Sequence, residues 1–402
     1  MAMALQASTF LHQYIYATTH AVPKSPNAIR FGILSTAMIN PAAIIRPAET
    51  HPEVKITAIA SRDLLSAKKY AAKYGIKNAY GSYDELLGDT TIQAVYISLP
   101  NALHGEWAEK ALNASKHVLL EKPLTANASE ARRIFEIASA KNLVLLEAFH
   151  WQFHPAAHVV HSLVHSGRYG QVKRTYARMT TPAKSIPKSD IRWKYDLAGG
   201  SLMDMTYVVS ATRYFLDKGV PEQIISAKAR RSPEDRRIDE AMEAELRWDK
   251  DGVKSKIYAD MERRNVAVIV PRVWELPAVE IECEDAAQPQ AGVKLNADRG
   301  GSFMMPHLYH YIQVTDKKTG HRTTQKHYNW GPKWGANSEP WWSTYRYQLE
   351  AFADRIQGRQ PAHWIDPQDS IDGMQTIDMI YEKSGLGIRH GSSEKTIIAG
   401  KQ

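Results

Sequence analysis

From Ile29 to about His150 the chain repeats one pattern: a short apolar run, a segment whose apolar residues recur at the spacing of one helix face, then another apolar run. Strands joined through helices lie parallel in one sheet with the helices covering its faces, so this stretch reads as βαβ units. The runs are Ile29 to Leu34, Val54 to Ala60, Ala94 to Ser98, His117 to Leu120 and Leu143 to Leu146. Asn127, with Glu130 three residues on, marks a helix start, and Ala131, Ile134, Phe135 and Ala138 fall on one face behind it.

Beyond about residue 170 the period changes. Longer alternating runs at Val172 to Met179, Ile224 to Ala229, Glu243 to Trp248 and Val253 to Met261 are separated by turns, the pattern of an antiparallel sheet. One helix is expected after Gly199-Gly200, from Ser201 to about Leu216, and a second carries Tyr345, Leu349, Phe352 and Ile356 on one stripe, each set to pack on a sheet face. A last helix runs from about Asp369 to Lys383 and stops at Gly385 and Gly387. With 402 residues, 44% of them apolar, the chain exceeds one core. The expected division is an arm over residues 1–28, a dinucleotide-binding α/β domain over 29–150 and an α+β domain over 151–402.

Charge and cysteine content exclude several classes of function. Lys and Arg number 51 against 43 Asp and Glu, a formal charge of +8, yet positive residues are intermixed with acids, as in Arg230-Arg231-Ser232-Pro233-Glu234-Asp235-Arg236-Arg237. A solvated loop accounts for that run, and no zinc-finger spacing or nucleic-acid module accompanies the excess, so nucleic-acid binding is set aside. The single cysteine, Cys283, allows no internal disulfide and fits a reducing compartment, here the cytoplasm. Residues 1–28 hold the mildly apolar Phe10 to Tyr16 without a basic leading segment or a long apolar core, so neither a signal peptide nor a membrane span is expected there.

In an open parallel sheet, ligands sit outside the carboxyl ends of the strands. The first strand leads into Gly32-Ile33-Leu34-Ser35-Thr36-Ala37, where a dinucleotide fold turns sharply and aims helix amides at a pyrophosphate. Only Gly32 of the usual three glycines is present, and Ser35 and Ala37 are small substitutes. The second strand ends in Ala60-Ser61-Arg62, where an NAD site carries an acid for the ribose hydroxyls. A hydroxyl and a guanidinium suit a 2′-phosphate instead, which favours NADP; the rival reading is an exposed Arg62 paired with Asp63. Val118-Leu119-Leu120 then delivers Glu121-Lys122-Pro123, an ammonium at a strand end. Oxidising a carbinol by hydride transfer needs a base for the hydroxyl proton and a cation for the developing alkoxide. Lys122 suits the second role. Asp204 lies in the first turn after the glycine pair with Tyr207 three residues on, nearly the same helix face, so the two form a candidate pair for the first.

Together with Pro100-Asn101-Ala102-Leu103-His104 and Gly199-Gly200-Ser201-Leu202-Met203-Asp204, these motifs resemble those of the Gfo/Idh/MocA oxidoreductases, from Ile29 to about Arg389. The resemblance implies an N-terminal Rossmann domain followed by an α+β C-terminal domain with an open-faced, mainly antiparallel sheet. Within the family, Met305-Pro306-His307-Leu308-Tyr309-His310 and Trp341-Trp342-Ser343-Thr344-Tyr345-Arg346-Tyr347 are similar to segments of the fungal NADP-dependent D-xylose 1-dehydrogenases and the dimeric dihydrodiol dehydrogenases. By resemblance, Gly32, Ser35, Thr36, Ala37, Ser61, Arg62, Pro100, Asn101, His104, Glu121 and Lys122 bind NADP. Lys122 also contacts the substrate hydroxyl, and Asp204 orients an acid/base residue in a cleft between the domains. The implied reaction oxidises an aldose, D-xylose first, to its lactone in a homodimer formed through the open sheet face. A trans-dihydrodiol or secondary-metabolite dehydrogenase is the alternative, and a catalytically silent cofactor sensor is the alternative of another class.

Two departures from the family pattern stand out. Its acid/base residue follows the aspartate by four positions, which is Val208 here; Tyr207 is one step off, so a helix irregularity must restore its reach or else His104 or His150 takes the proton. His150 and Gln152 stand where relatives often carry tryptophan and arginine, which reshapes a sugar pocket, with Trp193 a further wall candidate. His150, His154, His158, His161 and His165 recur near helical spacing, but no carboxylate or cysteine motif accompanies them and hydride transfer needs no metal, so a histidine-rich helix face is preferred to a metal site. Trp330, Trp334, Trp341, Trp342, Tyr345 and Tyr347 are read as core or interface before sugar platform.

Overall fold

A computed structural model describes residues 21–249, 252–265, 275–284, 292–296, 310–335 and 338–391. The first twenty residues and Met305 to Tyr309 therefore lie outside the described residues. The chain forms two units, one taking residues up to Phe153 and Ser338–Ser370, the other His154–Asn337 and Ile371–His390.

The first unit holds a six-stranded parallel sheet of order β3-β2-β1-β4-β5-β6: β1 Ile29–Leu34, β2 Val54–Ala60, β3 Asn78–Tyr80, β4 Ala94–Ile97, β5 His117–Leu120 and β6 Leu145–Glu147. Its central strands are apolar on both faces because both are covered, and all four residues of β4 are fully buried. Leu143 stays out of β6 because its N–H closes the preceding helix onto the Ala138 carbonyl at 2.9 Å. A π-helical turn Pro41–Ile45 runs into α1 (Arg46–Glu49), whose end is capped from the described part of the arm: Lys24 Nζ donates to the carbonyls of Ala48, Glu49 and His51 at 2.5, 3.0 and 2.9 Å. Helices α2 (Leu64–Tyr74), α3 (Tyr83–Gly88), α4 (His104–Asn113) and α5 (Ala128–Ala140) link the strands. At α5 the Asn127 Oδ1 accepts from the Glu130 amide at 3.0 Å and the Glu130 carboxylate accepts from the Ala126 amide at 3.2 Å, a capping box that fixes the start read from sequence.

The second unit opens with α6 (Pro155–His165), capped by the His154 side chain. Its sheet has eight strands of order β14-β13-β12-β11-β7-β10-β9-β8: β7 Gln171–Pro182, β8 Gln223–Arg231, β9 Asp239–Arg247, β10 Lys254–Arg263, β11 Glu275–Glu284, β12 Gly292–Asn296, β13 Ile312–Asp316 and β14 Arg322–Gln325. The sheet is antiparallel except that β7 and β10 pair in parallel, Lys254 opposite Arg174 through Asp260 opposite Thr180. A helical crossover between β7 and β8 accounts for the exception, since it returns the chain in the direction of β7 and the hairpin pairs β8–β9 and β9–β10 preserve that direction in β10.

Residues 201–216 do not form the single helix expected. They form α7 (Ser201–Asp204) and α8 (Tyr207–Leu216), parted where Met205 leaves helical geometry (φ −100°, ψ 35°). The Val208 amide bonds Met205 three residues back, at 3.2 Å, where an unbroken helix bonds four back. The apolar stripe of α8 packs on β7, β10 and β11. Two helices follow: the short α9 (Gly331–Trp334) lies along α6 in this unit, and α10 (Thr344–Ile356) belongs to the first unit, where Phe352 meets Phe31 of β1 at 5.8 Å between ring centroids. Thus the Tyr345 stripe packs within the first unit, chiefly on the π-helical turn, α1 and the 3-10 turn His150–Phe153, with Phe352 reaching β1. The last helix, α11 (Pro367–Lys383), ends with Gly385 and Gly387 both at positive φ.

Candidate active site

Gly32 lies inside β1, opposite Ala58 and Val95. A Cβ there would come within 2.7 Å of Leu86 Cδ2, so the glycine makes room for α3. The sharp turn falls at Ser35, whose φ of +121° is in the region that disfavours L side chains. A polar network holds it there. Ser35 Oγ lies 3.0 Å from the Ser98 carbonyl, 2.9 Å from Ser98 Oγ and 3.1 Å from the Ala37 amide that donates to it. Asn40, fully buried, donates to the Ser35 carbonyl at 2.9 Å and accepts from Ser98 Oγ at 2.6 Å. Sequence reasoning named Ser35 but missed Asn40 and Ser98, which lie far apart in the chain. Thr36 and Ala37 sit on the exposed side of this turn and Met38 at its tip is 97% exposed.

At the end of β2 the Ser61 amide donates to the Tyr80 carbonyl at 3.2 Å. Asp63 does not pair with Arg62. Its carboxylate caps α2, accepting from the amides of Leu65 and Ser66 at 3.2 and 3.0 Å and from Ser66 Oγ at 2.5 Å, and these bonds hold its pKa below the usual carboxylate value. The Arg62 side chain is exposed and hydrogen-bonded to the Tyr83 hydroxyl.

The ends of β4, β5 and β6 gather the rest of this unit's candidates. Pro100 and Asn101 start a 3-10 turn into α4. His104, 1% exposed, places Nδ1 2.8 Å from the Pro123 carbonyl and Nε2 2.8 Å from the Leu99 carbonyl, tying the β4 loop to the β5 loop; burial lowers its pKa against the pull of those two carbonyls. With both nitrogens so placed, His104 is a strut rather than a proton acceptor. Glu121 accepts from the Tyr96 hydroxyl at 2.5 Å through one oxygen and from the Lys122 amide at 3.2 Å through the other. Burial pushes its carboxyl pKa up, while Tyr96 and the Lys122 charge pull it down. Lys122 is itself half-buried. Tyr345 is buried near Glu121, and burial first, then that carboxylate, raises its pKa. Its ring stacks on His150 at 3.9 Å, and His150 Nδ1 lies 2.7 Å from Thr344 Oγ1. His150 and Gln152 are 1% and 2% exposed, so each is part of the packed base of this cluster. Tyr96, Thr344 and Tyr345 are the members that sequence reasoning did not place here.

In the second unit, Arg192 and Trp193 sit in a 3-10 turn capped by Asp190. Arg192 Nε donates to Asp204 Oδ1 at 2.8 Å and its Nη1 to Asp190 Oδ1 at 3.0 Å; Asp204 above all keeps the guanidinium pKa raised. The Lys188 ammonium lies 3.7 Å from the centroid of Trp193, whose side chain is buried. The glycine pair is forced by crowding. A Cβ on Gly199 would sit 2.4 Å from the Arg192 carbonyl, and one on Gly200, at φ +134°, 2.2 Å from Asp239 Oδ1. Asp239 is a fully buried hub: Oδ2 accepts from Ser201 Oγ and the Leu202 amide at 2.7 and 2.9 Å, and Oδ1 from the Tyr381 hydroxyl and Arg389 Nη2 at 3.0 and 2.9 Å. It thereby caps α7, the helix that ends in Asp204. Tyr207 starts α8 and is 4% exposed; the break at Met205 intervenes, so Asp204 and Tyr207 do not share a continuous helix face.

Among the described residues no three His, Cys, Asp or Glu side chains are grouped to hold a metal ion, and no helix is long and apolar enough to cross a membrane. Of the aromatics near the C-terminus, Trp334, Trp342, Tyr345 and Tyr347 are core, whereas Trp330 is 58% exposed.

Comparison with known proteins matches residues 29–149 to the model of an oxidoreductase family with an NAD-binding Rossmann fold, GFO_IDH_MocA, and residues 158–270 to the GFO/IDH/MocA C-terminal domain. D-xylose 1-dehydrogenase (NADP(+)) 2 of Haloferax volcanii is 33% identical over 89% of this chain and 98% of its own length. A trans-1,2-dihydrobenzene-1,2-diol dehydrogenase of Xenopus laevis is 32% identical over 49% of this chain and 59% of its own. Among solved structures, a 3-ketoreductase from Actinomadura kijaniata in complex with NADP and TDP-benzene superposes with a TM-score of 0.72 at 26% identity, covering 89% of this chain and 98% of that one.

Proposed function

The chain belongs to the Gfo/Idh/MocA oxidoreductase family, and on that premise we propose that it is an NADP-dependent dehydrogenase that oxidises an aldose, D-xylose first, at C1 to the lactone. The observation that carries the reading is Lys122, half-buried at the end of β5, its backbone amide donating to the Glu121 carboxylate that also accepts from Tyr96.

The residues present fit the dinucleotide. The Ser35 turn, pinned by neutral groups, lets backbone approach a pyrophosphate, and Arg62, released by the capping role of Asp63, is placed to pair with a 2′-phosphate. Bound NADP supplies the hydride acceptor. Lys122 holds the C1 oxygen and stabilises the negative charge that grows on it as its proton leaves. For the base that accepts the proton, Tyr207 is our candidate and His150 the substitute. C1 loses its hydride, the C1 hydroxyl loses its proton, and C1 forms a double bond to that oxygen while keeping its bond to the ring oxygen, which is the lactone. Dimerisation through the second sheet would use the half-exposed face on which Lys228, Glu243, Tyr258 and Arg178 stand in one cross-strand row.

The test is a panel of D-xylose, D-glucose, L-arabinose and a trans-dihydrodiol with NADP or NAD, followed at the absorbance of the reduced cofactor. D-xylose with NADP should give the highest kcat/KM, and reduction by the dihydrodiol alone would transfer the assignment to that class. Lys122→Ala should abolish turnover and leave NADP binding within severalfold; a variant that keeps its activity would remove Lys122 from the mechanism.

A further inference from the structure

Arg192 has work left over. Its guanidinium is fixed at two points, Nε on Asp204 and Nη1 on Asp190, while Nη2 has no hydrogen-bond partner among the described residues and the side chain is 41% exposed. A guanidinium held by carboxylates at two of its nitrogens presents its remaining N–H groups in a fixed plane, which is a receptor geometry for oxygen. Trp193, next in the chain, is 6% exposed, and its indole Nε1 is buried without an acceptor among the described residues, although a buried N–H of this kind ordinarily finds one.

Charge decides which oxygens. Arg192 of this turn and Lys188 just before it are ion-paired with four carboxylates, Asp190 and Asp204 on the first, Glu240 and Glu262 on the second, and the exposed Lys194 at the end of the turn adds one further cation. Arg230 shares Glu240 but brings its own carboxylate, Asp260. Acid therefore outnumbers base, so a phosphate or carboxylate arriving here meets repulsion, whereas a hydroxyl can accept from an N–H and donate to a carboxylate at once.

We propose that Arg192, oriented by Asp190 and Asp204, is a substrate-contacting residue that selects a neutral polyhydroxylated ligand, an unphosphorylated sugar, over its phosphate ester or nucleotide-linked form. This deepens the dehydrogenase reading and rests on it for the substrate's identity, but binding tests it separately from turnover.

Equilibrium dialysis of radiolabelled D-xylose and of D-xylose 5-phosphate against the protein loaded with the reduced cofactor, NADPH, which cannot accept hydride, is the experiment, with Arg192→Met and Asp190→Asn beside the unaltered chain. D-xylose should bind at least tenfold more tightly than the phosphate. Arg192→Met should weaken D-xylose binding at least tenfold with the NADP dissociation constant changed less than twofold, which also reports that the variant folds. Asp190→Asn keeps the guanidinium and loosens one tether, and should weaken the sugar about threefold. Equal sugar binding by Arg192→Met, tighter binding of the phosphate, or no binding of D-xylose by the unaltered chain would each overturn the proposal. Binding of D-xylose without its oxidation would instead sink the dehydrogenase assignment and leave this selection standing.

Discussion

Two sharp turns lead to the candidate residues of this protein, and they are held by opposite means. Ser35, at φ +121°, is fastened by uncharged groups alone, the hydroxyl of Ser98 and the amide of Asn40. Gly200, at φ +134°, is fastened on Asp239 and Arg389, an ion pair with neither side chain exposed. Neutral hydrogen bonds are cheap to bury and contribute about 1 kcal/mol each, so the first turn degrades one link at a time. A buried ion pair gives little net stability when whole, yet losing one member leaves a stranded charge at a cost of about 3–5 kcal/mol. The first turn is therefore tolerant, and the second is all or nothing.

Substitutions at the two turns should expose that difference, with Asp239 giving the largest effect. Asp239→Ala strands Arg389 and uncaps α7, and should cost about 3–5 kcal/mol by urea unfolding; a loss below about 1 kcal/mol would mean that water already shares the hub. Gly200→Ala is next, at about 1–3 kcal/mol, because it adds left-handed strain and drives a methyl into the same carboxylate. Ser98→Ala should cost only about 1 kcal/mol and weaken NADP binding a few-fold. The one ionisable member of that network, Tyr70, has its pKa pushed up by burial to about 12, so the loss should be the same at pH 4 and pH 7; a pH-dependent loss would show that a charge supports the first turn as well. The smallest effect is at the α2 cap. The pKa of Asp63 is depressed in the fold, so its contribution is present above the ordinary carboxylate value and fades as pH falls through the lowered one. Asp63→Asn, which retains the cap, should remove that dependence from an acid titration of stability.

What the sequence made legible followed from local signals. Continuous apolar runs located the parallel strands, and Asn127 with Glu130 located the start of α5, because burial on both faces and capping chemistry are written within a few residues. The parts it hid depend on residues distant in the chain. Asn40 and Ser98 meet across 58 residues, and nothing near Ser35 announces them. Gly32 was read as a turn glycine, although its function is to admit Leu86, a contact made only after α3 packs down. Asp204 was legible as a site residue, but its partner Arg192 lies beyond the glycine pair and outside any helical spacing. The parallel pairing of β7 with β10 comes from a crossover that strand periodicity does not record.

The interruption at Met205–Thr206 left no mark either, since the residues around it carry neither glycine nor proline. Its consequence is one of indexing. A regular helix advances by a fixed angle per residue, so counting positions predicts direction; a joint resets that count, and every side chain after it takes its bearing from the new origin. Lengthening or shortening such a joint by one residue would rotate the whole of α8 relative to Asp204 without altering a single residue of its buried stripe, a route by which one scaffold can be retuned to different substrates.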